Sequence, residues 1–207
     1  LFSLVVKGSE GELLSLPPTP ALDTLFIRQP GRLTDRDLCT YNWNNRTMLG
    51  DIAHVCNRGF GKNSIFREKR DYSRFTESLY KLNNKEGALR SGSNNFFDNP
   101  PLQNKLVDIL VWSLLPNHYH LLLHEPVDGG ITEFIKRLGN SYTKYFNIKY
   151  ERSGYLFQNA AKILRVEKDQ HLIFLPLYIH LNPLDLFESK WKEGVQNKDA
   201  ALNFLFG

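Results

Sequence analysis

The sequence has few of the residues that build disulfide or zinc frameworks, and it has no long apolar run. Of its 207 residues only two are cysteines, Cys39 and Cys56, and they do not form a CxxC pair. A disulfide scaffold needs more cysteines than this, and the two present are not spaced to complete a structural zinc site. No stretch approaches the ~20 apolar residues that a membrane-spanning helix requires. We therefore expect a reducing compartment, with a cytoplasmic location as the default, and no membrane partner.

Charge and composition set only broad limits. The formal net charge is +4, which permits a polyanionic partner without demanding one. The chain has 207 residues, of which 42% are hydrophobic, and this is enough to form one main core. The only methionine, Met48, comes immediately before the first strongly patterned segment. We expect a poorly ordered extension over residues 1–47, a domain over 48–190 and a tail over 191–207.

Hydrophobic periodicity predicts the order β-α-β-β-α-β with an added helix. The predicted segments are a strand in 51–59, a helix in 68–84, hairpin strands in 105–115 and 118–125, a helix from 131, a strand in 154–166 and a final helix in 168–182. This is the α+β, ferredoxin-like (split βαβ) pattern, an antiparallel sheet with helices packed on one face. The added C-terminal helix carries Tyr178. Residues 84–104 are rich in Gly, Ser, Asn and Pro and are a candidate lid or binding loop.

The stretch "HYH" on the second hairpin strand is a candidate metal site. Side chains two residues apart on a strand share a face with Cα atoms roughly 6.5 Å apart, so His118 and His120 can converge on one ion. Tyr119 then points into the core. Two imidazoles are too few for a structural zinc site and fit a catalytic ion with open positions better. The alternative is that both are polar residues of a half-buried strand with no ligand.

The stretch "LYIHLNP" on the final helix is a second candidate. Tyr178 and Asn182 are four residues apart and share a helix face, whereas His180 lies about 160° away. An amide oxygen is a possible ligand for a hard divalent ion, and a tyrosine hydroxyl is a possible nucleophile. Tyrosines at helical spacing are more often core residues, and this alternative stays open. Pro176 is expected to kink the helix just before Tyr178.

Four motifs together resemble the single-tyrosine HUH transposases, specifically their REP-associated and insertion-sequence-like branch. The motifs are "HVCNRGFGKNSIF", "LLPNHYHLLL", "LGNSYTKYFNIKYERSGYLFQ" and "YIHLNPL", and they occur in the family's order and at its separations. The resemblance runs from about Asp51 to Leu186. It implies a divalent ion, Mg²⁺ or Mn²⁺, held by His118, His120 and Asn182, with Tyr178 as the nucleophile.

The resemblance also implies a reaction and its partners. Tyr178 would attack a phosphate of single-stranded, hairpin-bearing DNA, leaving a 5′-phosphotyrosine link and a free 3′-OH, and a second transfer would rejoin the strand. A homodimer is the expected assembly. The sequence departs from the family after "LFQ", where Asn159, Ala160 and Ala161 stand in place of a Gly, an Arg and an aromatic residue.

Basic residues interleaved with aromatic and amide side chains predict a surface that follows a phosphate backbone. Arg58, at the end of the first strand, is the best candidate for a DNA contact. The alternative is that basic residues of this kind only form the solvated face of a helix. The predicted DNA-binding residues are Arg58, Lys62, Arg67, Arg152, Lys162 and Arg165.

The same sequence allows two other functions. One alternative is a non-cleaving nucleic-acid-binding protein of the same fold. Another is a hydrolytic metalloenzyme that uses His118, His120 and His124, although no carboxylate stands beside them as a base.

We expect His54 to be a core histidine rather than a neighbour of the DNA. Tyr142 and Tyr145 are predicted to pack with their edges at the surface.

Overall fold

The computed structural model describes residues 47–88, 102–166, 169–188, 191 and 195–206. Apart from Thr47, the predicted extension over 1–47 therefore lies outside the described residues, and so does most of the candidate lid over 84–104. The elements, in chain order, are β1 (Ile52–Arg58), α1 (Lys69–Lys81), β2 (Asp108–Leu115), β3 (His118–His124), α2 (Gly130–Lys149), β4 (Lys162–Arg165), α3 (Asp169–Leu181) and α4 (Lys198–Phe206).

The four strands form one antiparallel sheet in the order β2-β3-β1-β4. β2 and β3 are joined by the two-residue turn Pro116–Asn117, as the hairpin pattern predicted. β1 lies between β3 and β4, and its pairing sets Cys56 opposite His120 and Arg58 opposite His118. This is the strand order of the split βαβ arrangement, so the predicted α+β, ferredoxin-like fold is confirmed.

One face of the sheet packs against α1 and α2 and holds the larger core. Tyr119 points into this core and is 1% exposed, with its ring 5.0 Å from that of Phe75 on α1. Burial raises the pKa of the Tyr119 hydroxyl. The alternation along β3 therefore places Tyr119 on this face and the two neighbouring histidines on the other.

A buried carboxylate joins the start of α1 to the end of α2. Asp71, which is 0% exposed, accepts hydrogen bonds from Lys149 at 2.5 Å, Tyr145 at 2.9 Å and Tyr150 at 2.6 Å. It also forms a capping box with Glu68 at the first turn of α1. Burial alone would raise the pKa of the Asp71 carboxyl, but the hydrogen bonds, that of Lys149 first, lower it to about 2.

The opposite face of the sheet is covered by α3, Trp191 and α4, which share a second apolar cluster with Val111 and Leu122. The added C-terminal helix thus packs on the side away from α1 and α2. The predicted tail over 191–207 contains the helix α4. Pro183 ends the α-helical geometry, because a residue before proline disfavours it, and the chain continues as a 3-10 turn over Asn182–Leu186.

One packing prediction was wrong. Tyr142 does not reach the surface: it is 0% exposed, and its hydroxyl donates a hydrogen bond to the Ile65 carbonyl at 2.7 Å. A buried tyrosine needs such an acceptor, and the loop before α1 supplies one that helical periodicity does not reveal. Burial raises the pKa of this hydroxyl. Tyr145 is half-buried.

No helix in the described ranges has the length and apolar character to cross a membrane.

Candidate functional site

The two histidines of "HYH" lie next to each other on the sheet face that α3 covers. The rings of His118 and His120 are 5.0 Å apart between centroids and nearly perpendicular. His120 is 6% exposed, and His118 is half-buried at the start of β3. The strand alternation that predicted a shared face thus brings the two imidazoles together.

The tyrosine of "YIHLNP" reaches the same place from α3. The ring of Tyr178 presents its edge to that of His120, with centroids 6.1 Å apart and an interplanar angle of 88°. Tyr178 is 8% exposed and packs on its other side against Trp191, at 6.3 Å between centroids. No motif of the sequence points to Trp191, whose indole nitrogen donates a hydrogen bond to Asp185 at 2.6 Å.

A cavity of about 180 Å³ opens beside these rings. Arg58 and Lys162, at the ends of two neighbouring strands, supply its positive charge. The residues that line it are His54, Cys56, Asn57, Arg58, His118, His120, Gln158, Asn159, Ala160, Lys162 and Tyr178. The cavity therefore joins the predicted nucleophile, both predicted imidazole ligands and two of the predicted DNA-binding residues.

Asn182 is buried but is not among the described residues that line the cavity. It begins the 3-10 turn directly after α3 and is 1% exposed. Its Nδ2 has no hydrogen-bond partner in the described part of the chain, and neither does the buried Oγ of Ser113, which pairs with His120 across the sheet. Buried polar atoms that the protein leaves unsatisfied are typical of sites that meet a ligand, an ion or water.

The predicted donors His118, His120 and Asn182 would suit a catalytic divalent ion rather than a structural one. Two imidazoles and one amide fit an ion that keeps open positions for substrate. Within the described ranges, no group of three or more His, Cys, Asp or Glu side chains is arranged to hold a metal. His124 lies at the far end of β3, about 20 Å along the strand from His118, and its Nδ1 contacts Asp108 at 2.8 Å. The three-histidine alternative is therefore not supported.

The remaining predicted DNA-binding residues lie elsewhere. Lys62, in the exposed 3-10 turn Phe60–Lys62, follows β1 near the cavity. Arg165, at the other end of β4 from Lys162, forms an ion pair with Asp51 at 3.3 Å. The guanidinium groups of Arg67 and Arg152 lie over the ring of Phe146, at 5.2 and 5.5 Å, on the α1 and α2 side of the sheet. The predicted DNA-binding residues thus lie on two different faces of the molecule.

His54 is buried, as predicted, and it also contacts the site. It is 2% exposed, and its Nε2 lies 2.9 Å from Nδ1 of His120. The contact depends on the register between β1 and β3, which the sequence alone does not give.

Similarity between this chain and known proteins is found among solved structures. No family model matches the chain, and no curated protein matches it. A solved structure of a REP-associated tyrosine transposase bound to a REP hairpin aligns over 70% of this chain and 73% of that chain, with 14% sequence identity and a TM-score of 0.44. The function of this chain therefore has to be argued from the residues of its site.

Proposed function

We propose that this chain is a metal-dependent, single-tyrosine DNA strand transferase that cleaves and rejoins single-stranded DNA bearing a hairpin. The observation that carries the proposal is the contact between Tyr178 and His120, whose rings lie 6.1 Å apart although they belong to separate elements. A nucleophile and an ion-binding imidazole must lie close together to act on one phosphate. Because both residues belong to one chain, we propose that cleavage occurs within one subunit, and the homodimer stays a prediction.

His118 and His120 would hold Mg²⁺ or Mn²⁺, with the amide of Asn182 as a third donor. When bound, the ion would polarise the scissile phosphate and offset the negative charge that develops on it. The two imidazoles lie 5.0 Å apart between ring centroids, on one face of β3. The amide oxygen of Asn182 would be the donor atom, because an amide nitrogen donates hydrogen bonds and does not bind a hard cation.

Tyr178 would act as the nucleophile. Its oxygen forms a bond to phosphorus as the bond from phosphorus to the 3′ oxygen of the preceding nucleotide breaks. The tyrosine loses one proton and the leaving oxygen gains one, so the products are a 5′-phosphotyrosine link and a free 3′-OH. A free tyrosine has a pKa near ~10, so the surroundings of Tyr178 must favour its ionised form during attack. Contacts with His120 and Trp191 on two sides hold the ring in one position.

The DNA strand would approach along the cavity edge formed by Arg58 and Lys162. Both are exposed, and both point to the same sheet face as the histidines, because they pair with His118 and Cys56 across the strands. A positive pair beside the nucleophile would hold the phosphate backbone on either side of the reacting phosphate. Lys62 extends this charge along the turn after β1.

The direct test is formation of a covalent protein–DNA adduct. The protein is incubated with Mn²⁺ and an end-labelled hairpin oligonucleotide that has a single-stranded 5′ extension, and the products are separated under denaturing conditions. We expect an adduct that is lost in Tyr178→Phe and retained in Tyr155→Phe, a matched control, because Tyr155 is 86% exposed. An adduct that persists in Tyr178→Phe would contradict the assignment of the nucleophile.

A second candidate is a protein of the same fold that binds nucleic acid without cleaving it. The observation that favours it lies at the cavity wall, where Ala160 takes the place of the family's arginine and is followed by Ala161 in place of the aromatic residue, so that a charge and a ring are missing. Weaker contact with DNA would follow from their loss. Binding of the hairpin that is independent of Mn²⁺ and yields no adduct would support this candidate over the first.

A further inference from the structure

His118 and His120 each have a polar neighbour at Nδ1. Nδ1 of His120 lies 2.9 Å from Nε2 of His54, and the two rings stack with centroids 5.1 Å apart. Nδ1 of His118 lies 2.6 Å from Oδ1 of Asn117. Both imidazoles would therefore bind an ion through Nε2, because Nδ1 is already engaged in each. This shared arrangement constrains where the ring protons reside.

The neighbour of His118 settles its tautomer. Nδ2 of Asn117 donates a hydrogen bond to the carbonyl of Lys62 at 3.3 Å. A carbonyl only accepts, so the amide nitrogen of Asn117 faces Lys62 and the amide oxygen faces His118. That oxygen also only accepts. Nδ1 of His118 must therefore carry a proton and donate it, which leaves Nε2 as the basic nitrogen of the neutral ring.

The pair formed by His54 and His120 allows two arrangements when both rings are neutral. Either Nδ1 of His120 donates to Nε2 of His54, or the reverse. In the second arrangement the proton of His120 resides on Nε2, and that ring could not bind an ion there. Only the first makes His120 equivalent to His118. His54 must then be the acceptor.

The strand register explains why His54 can act in this way. His54 pairs with Leu122 across β1 and β3 and thus shares the sheet face of His120, two residues along. Diagonal neighbours on one face are about 7 to 8 Å apart between Cα atoms, within reach of two rings. Because His54 is only 2% exposed, the surrounding side chains fix the orientation of its ring.

We propose that His54 and Asn117 are positioning residues, which hold His120 and His118 in the Nδ1–H tautomer so that both Nε2 atoms can bind one divalent ion. This inference rests on the metal-binding part of the proposed function. Partners of this kind fix the orientation and basicity of a ligating histidine, and their loss typically weakens metal binding by about 10-fold to 100-fold. Neither residue touches the DNA or the reacting phosphate in this account.

The first measurement uses the wild-type protein without metal. Nitrogen-15 NMR of the imidazoles, at a pH where both rings are neutral, distinguishes protonated from unprotonated ring nitrogens. We expect His118 and His120 both to be protonated at Nδ1 and unprotonated at Nε2. A proton on Nε2 of His120 would overturn the inference. This measurement does not depend on any variant folding.

The second measurement is Mn²⁺ affinity of the protein alone, by titration calorimetry. We expect His54→Leu to weaken Mn²⁺ binding by about 10-fold to 100-fold. His54→Gln should restore most of the affinity, because its amide oxygen can accept from Nδ1 of His120. Val55→Ala is the matched control: it truncates a buried side chain of the same strand that faces the other core, so it should lower stability and leave Mn²⁺ affinity unchanged.

The outcomes separate this inference from the proposed function. Equal Mn²⁺ affinity in His54→Leu and the wild type would overturn the inference alone. A wild type that binds no Mn²⁺ would overturn the inference together with the metal-binding part of the proposed function. A wild type with the expected tautomers and Mn²⁺ affinity that forms no DNA adduct would support the inference and refute the strand transfer.

Discussion

The ring of Tyr178 on α3 meets the ring of His120 on β3 edge to face, with centroids 6.1 Å apart. The contact spans the boundary between the sheet and the helix that covers its second face. A tyrosine at helical spacing and a histidine on an apolar strand are each unremarkable alone. Their contact beside an open cavity with Arg58 and Lys162 supports a catalytic role for both.

Removing either histidine should abolish adduct formation, but with different effects on stability. His118 is half-buried, so His118→Ala should lower Mn²⁺ affinity and leave the thermal unfolding midpoint nearly unchanged. His120→Ala also deprives the buried His54 of its hydrogen bond, which typically costs about 1 to 3 kcal/mol. Calorimetry and thermal unfolding of both variants check this. Equal stability of the two variants would contradict the buried hydrogen bond.

Trp191 should affect both stability and the rate of adduct formation. It is 5% exposed and packs against Tyr178 with ring centroids 6.3 Å apart. Trp191→Ala should lower the free energy of unfolding by about 3 to 5 kcal/mol, because it leaves a large cavity. It should also slow adduct formation, since the nucleophile loses one side of its support. Trp191→Phe should retain most of the rate, and an unchanged rate in the alanine variant would show that Tyr178 needs no such support.

The basic residues should separate into two groups in DNA binding. Arg58→Ala and Lys162→Ala remove charge at the cavity, and each should weaken binding of single-stranded DNA and reduce the salt dependence of log K by about one unit. Lys136→Ala, on the exposed side of α2, is the control and should change neither. Fluorescence titrations at several salt concentrations measure this. A salt dependence unchanged in both cavity variants would show that the DNA does not contact Arg58 or Lys162.

Arg67 and Arg152 should contribute to stability as well as to any DNA contact. Each guanidinium lies over the ring of Phe146, and Arg67 is also 4.5 Å from the ring centroid of Tyr150. Such contacts at exposed sites contribute about 0.5 to 1 kcal/mol each. Chemical denaturation of Arg67→Ala and Arg152→Ala should show losses of this order. If DNA affinity also falls in these variants, the nucleic acid extends to the α1 and α2 side.

Asp71 should make stability fall in strong acid. The pKa of its carboxyl is about 2 in the folded protein, below the ordinary 3.8, so the folded state favours the ionised form. Its contribution, on the order of 2 kcal/mol, is fully present above pH ~4 and is lost as the pH falls through about 2. Denaturation of Asp71→Asn should show a large loss at pH 7 that shrinks towards pH 2. Asp128→Asn, at an exposed position, is the control and should behave like the wild type.

Periodicity was sufficient to predict the elements and which side chains of a strand share a face. Alternation along β3 separates Tyr119 from His118 and His120, because successive side chains of a strand point to opposite faces. The turn residues Pro116 and Asn117 mark the hairpin. These are local properties, and the sequence carries them within a few residues.

Contacts between distant segments could not be predicted from the sequence. The hydrogen bond between His54 and His120 requires the register of β1 against β3, and the packing of Trp191 on Tyr178 requires the path of the tail over the second face. Tyr142 lies on the apolar stripe of its helix and was predicted to pack there with an edge at the surface. The acceptor that buries it, the carbonyl of Ile65, lies in a remote loop.

The most direct test of the central claim is identification of the residue that carries DNA after the reaction. The protein is incubated with Mn²⁺ and hairpin DNA, digested with a nuclease and a protease, and the modified peptide is sequenced by mass spectrometry. The account predicts a nucleotide linked through its 5′ phosphate to Tyr178. A nucleotide linked to any other side chain would contradict it.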